Sequence, residues 1–183
     1  MGSRISDWLH DLSSGWVALA ALVVFLLFMA LILPAQAAKG HPAGSPDTTL
    51  VYAPSELYRF AEAYGPEGRR EYIRARFTFD LIFPLVYAGF LITNISWLLR
   101  KAFPPASWWQ RLNLVPLLGA LFDYFENVSA SVVMWRYPER MAVVAWLAAG
   151  FTVVKWLFVY GSFLILSVVV LAAIWKWLRS RSE

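Results

Sequence analysis

Cysteine is absent from all 183 residues. Its absence removes disulfides, thiol nucleophiles, iron–sulfur ligation and cysteine zinc sites, and leaves the redox compartment unspecified. Histidine is nearly absent too. His10 and His41 both lie outside the apolar runs, which disfavours a histidine-rich metal centre or a histidine-ligated haem among them. With no Ser–His or Cys–His arrangement in view, covalent acyl transfer is disfavoured as well. Charge is scarce, at 15% of residues against the ~25% usual in soluble domains. The net charge of +4 is explained by basic residues flanking apolar runs, so no nucleic-acid partner is expected. Neither a cofactor nor a metal is expected.

Apolar residues dominate: 60% of the chain is hydrophobic, 17% is aromatic, and the mean hydropathy is +0.56. Four apolar runs, 16–34, 79–99, 112–134 and 141–178, predict an all-α integral membrane four-helix bundle forming one transmembrane domain over residues 1–183, with the lipid bilayer as first partner. As a single helix the last run would be about 57 Å long against a hydrocarbon core of ~30 Å. It must tilt, protrude or break, with Gly150 or Gly161 as the break point. After the first run, Ala35-Gln36-Ala37 has the small–x–small pattern of a signal-peptidase site. The long leading segment with Asp7 and Asp11 beside Arg4 favours an uncleaved anchor.

Residues 35–78 read as an extracytosolic loop carrying amphipathic helices. Leu57, Phe60, Ala61 and Tyr64 form an apolar stripe at helical spacing. Gly65 and Pro66 end that helix, and Pro66 and Glu67 suit the first turn of another. The second helix carries Arg69, Arg70, Arg74 and Arg76. Its arginines suit either an interface with lipid phosphates or a cradle for an anionic head group, formed by Arg69, Arg70 and Arg74. Arg4, Arg100, Lys101, Arg111, Lys176, Arg179 and Arg181 flank the runs on one side through short connections, which predicts that both termini are cytoplasmic.

The third run breaks its own pattern. At ~100° per residue, Pro116, Gly119, Ala120, Asp123, Glu126, Asn127, Ala130 and Met134 share one face, leaving Leu, Phe and Val elsewhere. Small and polar residues on one face mark a helix that packs closely and hides hydrogen-bonding groups inside a bundle. The second run has the line Asp80, Phe83, Pro84, Tyr87, Leu91, Asn94. The fourth has Ala148, Phe151, Thr152, Lys155, Val159, Ser162, Leu166. A lipid-exposed charge costs at least ~2.5–3.5 kcal/mol, so three carboxylates and one ammonium should meet inside. Counting from Arg100, Leu112 and Lys176 as a common level, Asp80 and Lys155 come out ~30 Å above it and Asp123 and Glu126 ~16–21 Å above it. The expected pocket therefore holds Lys155 between Asp80 and Glu126, with Tyr87, Asp123 and Asn127 nearby.

The segments AYGPEGRREY, DLIFPLVY, LFDYFEN and YPE together resemble a functionally uncharacterised bacterial family of small multi-pass membrane proteins. Its motifs read here as YG-x-x-GR-x-x-Y, D-x-x-FP-x-x-Y and D-x-x-EN. The resemblance covers residues 58–155 and leaves out the first run and the tail. It implies a family fold and residence in the bacterial inner membrane, and no activity. It highlights Tyr64, Gly65, Gly68, Arg69, Tyr72, Asp80, Pro84, Tyr87, Asp123, Glu126, Asn127, Pro138 and Lys155.

Three functions remain open on the residues alone. The polar groups could form a ligand pocket for a lipid, a small apolar or cationic molecule, or a proton-coupled solute, built from Asp80, Tyr87, Asp123, Glu126, Asn127 and Lys155. They could serve an intramembrane enzyme acting on a lipid or isoprenoid, with Asp123 or Glu126 as general acid or base. Or they could be a purely structural polar core. No inverted repeat is visible, so a complete transporter would need a homo-oligomer to supply the remainder.

Overall fold

In the computed structural model, which describes residues 2–46 and 49–182, the apolar runs fold into helices, and no strand occurs among the described residues. A short helix, α1 (Gly2–Leu12), is followed at once by α2 (Gly15–Ala37). Ser14 separates them, its hydroxyl accepting the N–H of Val17 at 3.3 Å, the usual N-cap bond. A π-turn at Phe28–Ile32 precedes Pro34, which has no N–H to give the helix.

The next helix, α3 (Pro54–Arg76), starts with proline in its first turn, and the Glu56 carboxylate accepts the Ala53 N–H at 2.8 Å. At Gly65, φ is 62°, a left-handed conformation that glycine adopts without strain. The chain bends there, and Pro66 starts the second half. Then come α4 (Phe79–Ala102), a 3-10 turn (Trp108–Leu114), α5 (Val115–Arg136) and α6 (Ala142–Ser182). α6 runs unbroken through both Gly150 and Gly161, so it is about 61 Å long at ~1.5 Å per residue; neither glycine serves as a break.

Gly15–Ala37, Pro54–Ala102 and Ala142–Arg181 are each long and apolar enough to cross a membrane. The surfaces they turn outward suit that role. Leu19, Val23, Leu27 and Leu31 on α2 and Val143, Leu147, Leu157, Leu164 and Leu171 on α6 are all exposed, far more contiguous apolar surface than a soluble monomer tolerates.

α5 packs along α6 more extensively than any other pair of helices. Close approach is achieved at Gly119, where a Cβ would lie 3.2 Å from Cγ2 of Val159. The expected inner face of α5 is buried throughout, Pro116 to Met134, while Leu117, Leu121, Phe125 and Val128 face out. α2 lies on α4, where Ala18 is buried and its carbonyl accepts Asn94 Nδ2 at 3.1 Å. At the other end of the molecule α3 lies across α5 and α6, with Leu57, Tyr58, Ala61, Tyr64 and Tyr72 packed on Ala130, Met134, Ala145 and Ala148.

α1 docks beneath α4 through a buried polar knot. Asn113 donates to Ser6 O at 3.1 Å and to Ser96 Oγ at 3.0 Å, and the ring nitrogens of His10 face Ser96 O (3.1 Å) and Gln110 O (2.9 Å).

Candidate functional site

A cavity of ≈ 390 Å³ lies between α2, α4 and α6 in the half of the molecule nearer α3. Its volume falls in the ~300–1,000 Å³ range of small-molecule sites. Two kinds of wall enclose it.

One wall is aromatic and aliphatic. Phe79 and Phe83 of α4 stack at 5.8 Å, and Phe28 of α2 lies 5.5 and 5.6 Å from them. Met29 and Leu33 complete the α2 side, and Trp156, Val159 and Tyr160 the α6 side. Below, Phe25 stacks on Phe90 at 4.4 Å and approaches Phe163 at 6.3 Å, forming a floor. Trp156 also ties the loop after α2 to α6, its Nε1 donating to Thr49 O at 3.1 Å.

The other wall is ionic. Lys155 forms a short ion pair with Glu126 Oε2, and its Nζ lies 3.8 Å from Asp123 Oδ1. Thr152, one turn before Lys155, donates to Glu126 Oε1 at 2.7 Å. Tyr87 donates to Asp123 Oδ2 at 3.1 Å, and Asn127 Nδ2 donates to Asp123 Oδ1 at 3.4 Å. Arg76 Nη1 meets Asp80 Oδ2 at 3.1 Å, and its guanidinium lies 4.5 Å from the centre of the Tyr72 ring. All of these polar residues are buried. Arg76, Asp80, Tyr87, Asp123 and Lys155 line the cavity, whereas Glu126 sits behind Lys155 and Asn127 supports Asp123 from one turn along α5.

The expected residues therefore gather at one place, with Lys155 on Glu126 as expected and one exchange of partners. Where the depth count puts Lys155 between Asp80 and Glu126, the structure puts it against Glu126 and Asp123 and gives Asp80 to Arg76. Two causes are visible: Arg76 stands four residues before Asp80 and reaches it, and α5 sits higher than the count assumes. The connection after α4 climbs back alongside it, so Asn113 bonds to Ser96 rather than lying level with Arg100. That raises α5, with its two acids, by about one turn, ~5.4 Å.

The three arginines proposed for an anionic head group do not line the cavity. Arg69 turns back into the chain, donating to Ala61 O at 2.8 Å and lying 4.7 Å over the Tyr137 ring. Arg70 pairs with Glu67 at 3.2 Å in the open, and Arg74 is exposed. Arg76, which the sequence groups with them, is the one that reaches the site. The α2 wall and Trp156 carry no signal in the sequence either, because an apolar residue on an apolar run marks no face.

Among the described residues no group of three or more His, Cys, Asp or Glu side chains is arranged to hold a metal ion. A second depression, ≈ 680 Å³, lies on the surface between Ala102 and the last turns of α6; there Lys176 Nζ donates to Lys101 O at 3.0 Å, and no buried ionisable group lines it.

Chemically the ionic wall can hold a polar head by hydrogen bonds and can relay a proton between Tyr87, Asp123 and Lys155. The aromatic wall suits apolar matter, and its Trp156 face also holds a cation, with Lys155 Nζ 5.0 Å from the ring centre. No protein-family model, curated protein or solved structure matches this chain.

Proposed function

We propose that this chain is a multi-pass membrane protein that binds an amphiphilic small molecule or lipid in the cavity between α2, α4 and α6. The observation that carries the reading is the joining, in one cavity, of a buried ionic wall (Arg76, Asp80, Asp123, Lys155) to a wall of aromatic rings. Ionisable groups inside a membrane segment are costly, and they mark function more often than packing. Polar contacts between membrane helices contribute on average only ~0.6 kcal/mol, too little to account for five ionisable residues gathered around one space.

In this reading α2, α4, α5 and α6 form a four-helix membrane bundle. At 22 residues, α5 is about 33 Å long and can span; its mean hydropathy is lowered by the same buried polar face that builds the site. The basic flanks at the α1 end support cytoplasmic termini, with α3 covering the extracytosolic mouth. Membership of the bacterial family that the motifs resemble, and residence in its inner membrane, belong to the same proposal.

Native mass spectrometry of the purified protein tests it: wild type retains a bound small molecule or lipid, and Asp123→Asn, folded to the same extent, loses it. A wild type that is folded and carries nothing, under conditions that preserve membrane lipids, refutes the reading.

A second reading has one observation in its favour. The Tyr87 hydroxyl on Asp123, with Lys155 beside it, is a chain of proton donors and acceptors at a cavity wall, the arrangement an acid/base enzyme on a lipid or isoprenoid would use. Turnover of a lipid extract that vanishes in Asp123→Asn while binding persists would select it.

A further inference from the structure

The cavity has an opening and a charge, and both restrict its occupant; the inference rests on the ligand-binding reading above. The polar wall is sealed, since Arg76, Asp80, Tyr87, Asp123 and Lys155 are all buried. The apolar wall is more open: apart from Val159 its residues are half-buried or exposed, and the exposed ones are Met29 (37%) and Tyr160 (54%). Both belong to the apolar exterior. α2 and α6 approach each other at the floor, through Phe25 and Phe163; otherwise α2 packs on α4, and α6 on α5 and α4. The cavity thus opens sideways, between Met29 and Tyr160, onto the surface that would face acyl chains.

Charge restricts the head. The ionic cluster holds two cations, Arg76 and Lys155, and three acids, Asp80, Asp123 and Glu126, a surplus of one negative charge when all are ionised. An anionic head would raise that surplus to two and would compete with Asp80 and Asp123 for cations they already engage. An ammonium would cancel the surplus and a hydroxyl would leave it unchanged, and either can donate to Asp123 beside the Tyr87 hydroxyl. Charge-assisted bonds of this kind are about twice as strong as neutral ones. Volume restricts the tail, since ≈ 390 Å³ is near the lower end of the ~300–1,000 Å³ spanned by ligand sites and suits one chain rather than two.

We infer that the cavity takes a single-chain amphiphile with a hydrogen-bond-donating head, neutral or cationic, which enters from the bilayer between Met29 and Tyr160 and sets its head against Asp123.

The test uses three probes of one chain length: dodecylamine, dodecanol and laurate. Each is titrated into the full-length protein in phosphatidylcholine nanodiscs at about pH 8, where the amine is protonated and the carboxylate ionised. Native mass spectrometry counts bound probe. The expected result is one saturable site per chain for the amine and the alcohol, with laurate about tenfold or more weaker, the factor that goes with losing a charge-assisted hydrogen bond. Asp123→Asn should bring the amine down to the level of the alcohol. Met29→Trp, which narrows the opening and leaves the ionic wall untouched, should weaken both while melting like wild type; unchanged binding in that variant overturns the lateral route.

Laurate binding as tightly as the amine, at a saturable site sensitive to Asp123, overturns the head chemistry and leaves the ligand-binding reading standing. A co-purifying ligand that none of the probes displaces also overturns the inference alone. No saturable probe and no co-purifying ligand overturns both.

Discussion

Thr152 donates its hydroxyl proton to Glu126 across the α5–α6 interface at 2.7 Å, and Lys155, three residues on, closes on the other oxygen of the same carboxylate. One α6 face thus satisfies both oxygens of an acid that is 1% exposed. Removing only the cation leaves a buried carboxylate without its counter-charge, the change that costs most in such pairs, ~3–5 kcal/mol. Lys155→Met is therefore expected to lower the thermal midpoint strongly. Lys155→Met combined with Glu126→Gln, which removes both charges and keeps the Thr152 hydroxyl bond, should recover most of the loss. Melting curves in one detergent for the two singles and the double form the cycle, and a double no more stable than Lys155→Met would refute the pairing.

Arg76 and Asp80 make a second test, because the chain carries its own control. Their side chains are 9% and 11% exposed, whereas those of Arg70 and Glu67 are 78% and 76% exposed. An exposed ion pair contributes about 0–1 kcal/mol. Arg76→Met is expected to cost ~3 kcal/mol or more by removing the counter-charge paired with buried Asp80, and to loosen the corner between α3 and α4. Arg70→Ala is expected to leave stability unchanged. Limited proteolysis reads the corner directly: new cleavage around residues 76–79 in Arg76→Met, and none in Arg70→Ala.

What could be read from the sequence, and what could not, divides along physical lines. The buried face of α5 was legible because a helix repeats every ~3.6 residues and hydrocarbon rejects charge; Pro116, Gly119, Ala120, Asp123, Glu126, Asn127, Ala130 and Met134 are all inside. The kink at Gly65–Pro66 was legible because few residues accept a positive φ. Vertical register was not legible. It depends on a seven-residue 3-10 turn whose Asn113 finds Ser96, a contact between residues with no mark of partnership. Nor could the sequence pick Arg76 out of four arginines on one segment, since only the fold decides which of them faces Asp80. The α2 side of the apolar wall, Phe25, Met29 and Leu33, lies on a helix apolar on every side and so without a distinguishable face.

Three glycines separate backbone strain from helix propensity. Gly65 has φ 62° and ψ −180°, a conformation essentially confined to glycine, and no atom lies within 4 Å of an added Cβ, so Gly65→Ala meets no clash but carries the backbone strain of that region, about 1–3 kcal/mol. Gly150 and Gly161 also have open space, but at ordinary helical angles. Replacing either with Ala is expected to stabilise α6 by ~0.5–1 kcal/mol. Thermal unfolding followed by circular dichroism should move in opposite directions for Gly65→Ala and Gly150→Ala. Movement in the same direction would mean that the turn at Gly65 is not the one described.

Tyr87 and Asn127 both donate to Asp123, at 3.1 and 3.4 Å, yet only Tyr87 lines the cavity. That asymmetry separates a polar core kept for packing from one kept for a ligand. Tyr87→Phe and Asn127→Leu each take one donor from a buried carboxylate, and each should cost ~1–3 kcal/mol. If the acids serve packing alone, the two variants fall together in melting temperature and nothing else distinguishes them. If the cavity binds a head group at Asp123, Tyr87→Phe also changes ligand retention, because its hydroxyl borders the space the head occupies, while Asn127→Leu leaves retention near wild type at equal folded fraction. Melting and native mass spectrometry on the same preparations decide it. Parallel losses of retention in both variants, or in neither, would count against a head-group site beside Tyr87.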